Sequence, residues 1–363
     1  MGEYKYDEPR KQHISLTTYA WDVISRDRMT FSNDGEELSL AGFLNRVFLN
    51  FYLHAEASIP RRLVEKRHEL EGVLKGIKEE QLLKIIDKLV AAYEQELKEK
   101  IFMYTENHIS KMGKSFTIQK QVHELLTSLS KEGYFLNENG SKITSGKFIA
   151  AVFEEYAKKP YFEREVIFFN KTVITIHRAI ELKRTLTVTH ANGIRRWFLP
   201  YALKTDKLSM YNYLVGFSRN IGRINDKPKQ FGLRLSNIVS IEINEHGEPE
   251  SGQLSAEMRE IIKDYLFKHD TMFLTDADKS VNIRVRLTEK GRQNYNKQIH
   301  MRPPYTNKEG DVYFFDCSML QAEYYFFKFG KEAEILSPDE LRKKFYMMYS
   351  EAATINKCAQ LNL

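Results

Sequence analysis

Cysteine is almost missing from this chain: Cys317 and Cys358 are the two in 363 residues, with no CxxC and no Cys/His spacing. That excludes a disulfide framework and a structural zinc site and leaves both thiols as packing residues. Long apolar runs are missing too. No stretch reaches the roughly 18 to 20 residues of a membrane span, and the opening MGEYKYDEPRK has no hydrophobic signal core. The expectation is a cytoplasmic protein with no membrane partner. Catalytic signatures are equally scarce, with no P-loop, no HExxH, no GxSxG elbow and no acid cluster at metal-ligand spacing. The chain therefore reads as a non-enzymatic binding protein, with no catalytic residue, no metal and no cofactor.

What is present is charge, unevenly placed. Residues 171–240 hold thirteen Lys/Arg against three acids, a net of +10, whereas the whole chain is +6, leaving −4 for the rest. A basic block in an otherwise slightly acidic protein is the footprint of a polyanionic partner. At 42% hydrophobic and 29% charged, the composition is globular, with length enough for two or three domains.

One apolar helical stripe occurs twice. LAGFLNRVFLNFY at 40–52 and SGKFIAAVFEEYA at 145–157 match at Phe43/Phe148, Leu44/Ile149, Val47/Val152, Phe48/Phe153 and Phe51/Tyr156. A short alternating strand precedes each, HISLT at 13–17 and SFTIQ at 115–119, and each strand is followed by an amphipathic helix. The order strand, helix, turn, helix resembles the ribbon-helix-helix family, whose two copies pair their strands into a ribbon that enters the DNA major groove. Two units in one chain imply an internal pseudo-dimer. His13, Ser15 and Thr17, with Ser115, Thr117 and Gln119, are then expected on the outward ribbon face, where only Gln119 suits base reading. Residues 60–112, rich in Glu, Lys and Leu, read as a helical insertion.

From Thr185 onward, short strands take over. TLTVTHA, an Asn192-Gly193 turn, IRRWFLPYAL, MYNYLVGFSR and FGLRLSNIVSIEI suggest a small Sm/SH3-like β-barrel. RRWFLPYAL, YNYLVGFSRN and LRLSNIVSIEI are similar to the WYL domain. Arg196, Phe198 and Pro200 fill its first element; Tyr213, Leu214, Val215 and Gly216 its second, with Asn212 at the tryptophan position; Leu233, Arg234, Leu235 and Ile238 its third. That resemblance implies a basic pocket for nucleic acid or nucleotide ligands. The residues agree with it: Arg196, Arg219, Arg223 and Arg234 lie near Tyr201, Tyr213, Phe217 and Ser218, a mixture of phosphate forks and stacking faces suited to a single strand. His190 stands where the WYL family often has tyrosine and is either a ligand contact or a satisfied core group. Tyr211, Tyr213, Val215 and Phe217 share a strand face, so some of them belong to the core.

The last third, from about Thr271, resembles the extension that follows WYL domains, an α/β unit used for dimer contacts. The expected layout is α+β. It comprises a ribbon-helix-helix-like region at 1–159, a linker helix at 160–184, the WYL domain at 185–245, a linker helix at 246–270 and the C-terminal extension at 271–363. This arrangement looks like the WYL-domain accessory proteins of type VI-D CRISPR systems. The resemblance implies binding of single-stranded RNA, stimulation of a type VI-D effector, which is an RNA-guided RNA nuclease, and a homodimer joined through the C-terminal unit. The alternative is a DNA-binding WYL-family transcriptional regulator that senses a nucleotide-like effector.

Overall fold

Lys11–Thr17 alternates buried Ile14 and Leu16 with more exposed neighbours, and this half-buried pattern makes strand β1. It pairs antiparallel with β2 (Lys111–Thr117), His13 standing opposite Ser115 at a sequence separation of 102. The computed structural model describes residues 10–360 apart from 33–37, 56–58, 75–78, 107–110, 133–134, 136–143, 208, 223–225, 245–252 and 275–279. Two compact units divide the chain at Asn170/Lys171. No described helix is long and apolar enough to cross a membrane.

The first unit continues with α1 (Thr18–Thr30), α2 (Leu40–Phe51), α3 (Ile59–Val73) and α4 (Glu79–Glu106) before β2, then α5 (Lys120–Lys131), α6 (Ser145–Lys158) and α7 (Tyr161–Phe168). Helices α2 and α6 carry the repeated stripe. Each is started by a hydroxyl cap, Ser39 accepting from the Gly42 amide and Thr144 from the Lys147 amide. The stripes meet each other: Phe43 and Phe51 each lie 6.3 Å from the Tyr156 ring, and Phe48 lies 6.1 Å from Phe148. Each such side chain contributes roughly 1.5–3 kcal/mol on burial. Neither helix could bury its stripe alone, which is why it appears twice.

Each half also clamps the other's strand-to-helix junction. Glu154 on α6 accepts from the Thr17 amide at 2.6 Å and from its hydroxyl at 2.9 Å. Asn45 on α2 donates to the Thr117 carbonyl at 2.9 Å and accepts from the Gln119 amide at 2.8 Å. This corrects the expected ribbon. The second strand ends at Thr117, so Gln119 is not on the outward face but stands at the N-cap position of α5, without a side-chain capping bond. The register sets Ile14 against Lys114 and Leu16 against Met112. The inner face of β2 is closed partly by Lys114, whose ammonium lies 4.5 Å from the Trp21 ring centroid.

Asp27 of α1 is buried among these helices. Its carboxylate accepts from the Arg164 guanidinium at 2.6 and 3.0 Å and from the Tyr156 hydroxyl at 2.7 Å. Burial opposes the Arg164 charge, but its hydrogen bond and charge pairing with Asp27 outweigh that, and its pKa lies above the ordinary value. Burial, then the Asp27 charge, pushes the Tyr156 phenol well up. The run 160–184, expected as one helix, is broken at Phe169 into α7 and α8 (Asn170–Glu181).

The second unit holds two sheets. Strands β3 (Leu186–His190), β4 (Arg195–Thr205), β5 (Asn212–Asn220), β6 (Lys229–Arg234) and β7 (Ile238–Ile243) form an antiparallel sheet in the order β6-β5-β4-β3-β7. A 3₁₀ turn at Leu235–Asn237 joins the two outer strands, giving the small curled barrel. Helix α9 (Ala256–Lys268) follows. The chain then builds a four-stranded sheet, β11-β8-β10-β9, from β8 (Ser280–Leu287), β9 (Tyr305–Glu309), β10 (Val312–Ser318) and β11 (Ala333–Ser337), with helices α10 (Glu289–Lys297), α11 (Met319–Phe326) and α12 (Asp339–Gln360). Ile283, Val285 and Leu287 of β8 pack with Phe315, Tyr325, Phe326 and Phe345 in its core, so the aromatic run YYFFKFG supplies packing here. Cys317 belongs to that core, and burial pushes its thiol up to about 12. The side chain of Cys358 lies outside the described residues. The fold class is α+β.

Removing the Asp27 carboxylate leaves Arg164 without its buried counter-charge. Asp27→Ala is expected to cost about 3–5 kcal/mol, and Tyr156→Phe, which removes one hydrogen bond, about 1 kcal/mol. Urea unfolding of the two variants checks this. Equal, small losses would show that the carboxylate does not organise the helices.

Candidate nucleic-acid interface

Strand alternation sorts the basic block onto two faces of the barrel sheet. On β5, Tyr213, Val215, Phe217 and Arg219 share one face, and Leu214, Gly216, Ser218 and Asn220 share the other. The register extends each face to the neighbours: Arg219 pairs with Trp197 of β4, Tyr213 with Arg234 of β6, and Asn220 with Arg196 of β4. Arg196 therefore lies on the opposite face from Arg219 and Arg234.

The face bearing Tyr213 and Phe217 is covered. Both pack with Leu199, Val215, Leu254, Ile262 and Leu274, under α9 and the segment after it. Buried Asp206 holds that segment in place, accepting from the Met272 amide at 2.9 Å through one carboxylate oxygen and from the Ser209 amide at 2.8 Å through the other. The nearby Asp270 carboxyl is pushed up by burial first and by the Asp206 charge second. Tyr201 sits at the β-bulge of β4, half-buried at the edge of the same cluster. Tyr213 and Phe217 are packing residues here, and their faces, covered by Leu254, Ile262 and Leu274, are not open to a base. Arg219 and Arg234 stand at the two ends of this covered patch, separated by about six strand positions, or ~20 Å. Each lies on a ring: Arg219 is 5.2 Å from the Trp197 centroid, and Arg234 is 3.4 Å from that of Tyr211.

The other face lines the barrel interior with Leu186, Val188, Phe198, Leu214 and Leu233, and its polar end is different in character. There the Arg196 guanidinium lies 4.3 Å from the Phe231 centroid. Ser218 and Asn220 of β5 accompany it, and their Oγ and Oδ1 are buried with no hydrogen-bond partner among the described residues. Leaving such atoms unmatched costs about 1–3 kcal/mol each, and neither atom is exposed at the surface. Lys229 of β6, paired with Ser218, is exposed at the rim. His190 ends β3, half-buried, with Nδ1 accepting from the Asn192 amide at 3.0 Å. Arg223 lies outside the described residues.

The residues expected to form one pocket thus separate into an inner-face cluster around Arg196 and two outer arginines framing α9. Sequence inspection missed the rings that carry the arginines, Trp197, Tyr211 and Phe231. The available signal was register: Trp197 sits on the strand beside Arg219, Tyr211 at the threshold of the strand beside Arg234, and Phe231 two strands from Arg196, across β5, all beyond the reach of local spacing. A guanidinium on a ring keeps its N–H edge in the plane, which suits phosphate oxygens and leaves a flat surface for a base.

Comparison with known proteins gives a fold but no family. No family model matches the sequence, and no curated protein matches it. Among solved structures, the crystal structure of a CRISPR Cas-related protein superposes with a TM-score of 0.76 over 99% of this chain and 97% of that one, at 21% identity. The fold extends along the whole length of both. Proteasome accessory factor B/C of Arthrobacter aurescens aligns over 94% of this chain and 64% of its own, with a TM-score of 0.29 and 12% identity, too loose a match to carry an argument.

Close approach of β4 and β5 fixes the inner face. A Cβ on Gly216 would stand 2.1 Å from the Leu199 carbonyl oxygen and 2.8 Å from the Phe198 ring. Gly216→Ala is expected to part these strands at a cost of about 3 kcal/mol, measurable as a fall in the thermal midpoint. An unchanged midpoint would contradict the close approach.

Proposed function

We propose that this chain is a non-catalytic accessory protein that binds single-stranded RNA through its basic barrel and stimulates an RNA-guided RNA nuclease of a type VI-D CRISPR system. The observation that carries the reading is the setting of Arg196, stacked on Phe231 beside the unmatched Ser218 Oγ and Asn220 Oδ1. It lies inside the segment that holds a net charge of +10. Arginine on aromatic faces grips a backbone and accepts bases without demanding sequence, as a flexible strand requires. The whole-length likeness to a CRISPR Cas-related protein supports the same setting. The effector nuclease is its protein partner in this reading. A homodimer forms through the C-terminal unit, where α12 exposes Tyr346, Met347 and Ile355.

A DNA-binding regulator is the second reading, favoured by the antiparallel ribbon of β1 and β2. Its described outward side chains, Lys11, His13, Ser15, Thr17, Ser115 and Thr117, offer little bidentate base recognition, so operator reading is the weaker case.

Arg196→Ala is expected to weaken single-stranded RNA binding about tenfold, the loss of one charge-assisted contact. It should also reduce the dependence of log K on log salt by about 0.7. Stimulation of target-RNA cleavage by the effector should fall in parallel. Unaltered RNA affinity, together with duplex DNA binding that is also unaltered, would move the function to the ribbon.

A further inference from the structure

The first unit carries a second basic feature, remote in sequence from the barrel's +10 segment. A cavity of about 380 Å³ opens between the start of β1, the length of α5 and the first residue of α6. Its floor is apolar, formed by Ile118, Leu126 and Phe135, each about 5% exposed or less. Around it stand Arg10, Lys11 and Lys131, all exposed, and no carboxylate contributes to the lining among the described residues. Thr127 and Ser130 add hydroxyls along the α5 wall, and Gln12 is fixed by accepting a hydrogen bond from Ser145 Oγ at 3.0 Å. His123 faces the same space. Burial, then the Arg10 charge, lowers its pKa, so it stays neutral near pH 7 and offers hydrogen bonds rather than a fourth charge.

Two parts of this lining ask for different chemistry. Three cations around a cleft call for an anion, yet a simple anion would leave the apolar floor covered only by water. An apolar ligand would fill the floor and give the cations no partner. A molecule with a flat, weakly polar end and a phosphate answers both, and the volume falls in the range of small-ligand sites, at its lower end.

We propose that this cleft is a nucleotide-binding site, taking a nucleoside monophosphate with the base over Leu126 and Phe135 and the phosphate between Arg10, Lys11 and Lys131. The site belongs to a different unit from the barrel and does not rest on the function assigned to it. The same chemistry is presented by a free mononucleotide and by the 5′-phosphorylated end of an RNA strand.

Calorimetric titration of the full chain with AMP and UMP tests the assignment, with adenosine and inorganic phosphate titrated separately. Either nucleotide should bind at least about tenfold more tightly than adenosine or phosphate alone. Arg10→Gln/Lys131→Gln should weaken it about tenfold or more. Ser130→Glu, which sets a negative charge on the exposed α5 wall, should do the same without removing a native contact. Absence of nucleotide binding at millimolar concentration overturns the proposal. So does binding that survives both variants, or binding lost in Arg196→Ala, which would place the ligand in the barrel. Competition separates the sources. If AMP displaces a 5′-phosphorylated RNA but not its 5′-hydroxyl counterpart, the cleft holds a strand end; if AMP binds and displaces neither, it holds a free nucleotide.

Discussion

An antiparallel strand turns successive side chains to opposite faces, and in this protein that constraint decides what each region can bury and what it can offer. On β1 it sends Ile14 and Leu16 into the helical core and leaves His13 and Ser15 outside. On β5 it sends Tyr213, Val215 and Phe217 beneath α9, while Leu214, Ser218 and Asn220 go to the barrel interior and its polar end. Neither ribbon nor barrel could tolerate a one-residue slip, because the buried and exposed sets would exchange. Gly216, pressed against the Leu199 carbonyl, and the bulge at Tyr201 are where the barrel absorbs this demand.

In the first unit the same logic works through helices. The stripe of five apolar positions on α2 meets the matching stripe that α6 supplies from the other half, Phe43 and Phe51 against Tyr156 and Phe48 against Phe148. Polar residues then fix the arrangement. Glu154 and Asn45 bind strand ends that would otherwise leave backbone groups unmatched, and Asp27 gathers α1, α6 and α7 through Tyr156 and Arg164. Burying that carboxylate carries a desolvation cost, offset here by three hydrogen bonds, two of them to a guanidinium.

Much of this architecture was legible in the sequence, since it rests on periodicity. The doubled stripe, the strand at 13–17, the Asn192-Gly193 turn and the alternating β8 each carry a local pattern. The break at Phe169 and the early end of β2 were not legible, because both depend on tertiary partners, Asn45 among them. The candidate site was legible in composition and illegible in grouping. Arginines and aromatics crowd residues 190–234, but spacing cannot tell which ring receives which guanidinium. Arg196 stacks on Phe231, thirty-five positions away, and only strand order brings them together. Tyr213 and Phe217 were sensible stacking candidates by residue type, and the helix that covers them comes from sequence beyond the barrel.

The central proposal is that the Arg196–Phe231 end of the barrel, and not the ribbon, is where a single strand lies. Photocrosslinking of a uridine-rich RNA carrying 4-thiouridine to the full chain, followed by mass spectrometric mapping of adducts, tests it most directly. Adducts on peptides containing Arg196 or Phe231 are the predicted result. Adducts confined to the strands around His13 and Ser115, with none in residues 190–234, would contradict it.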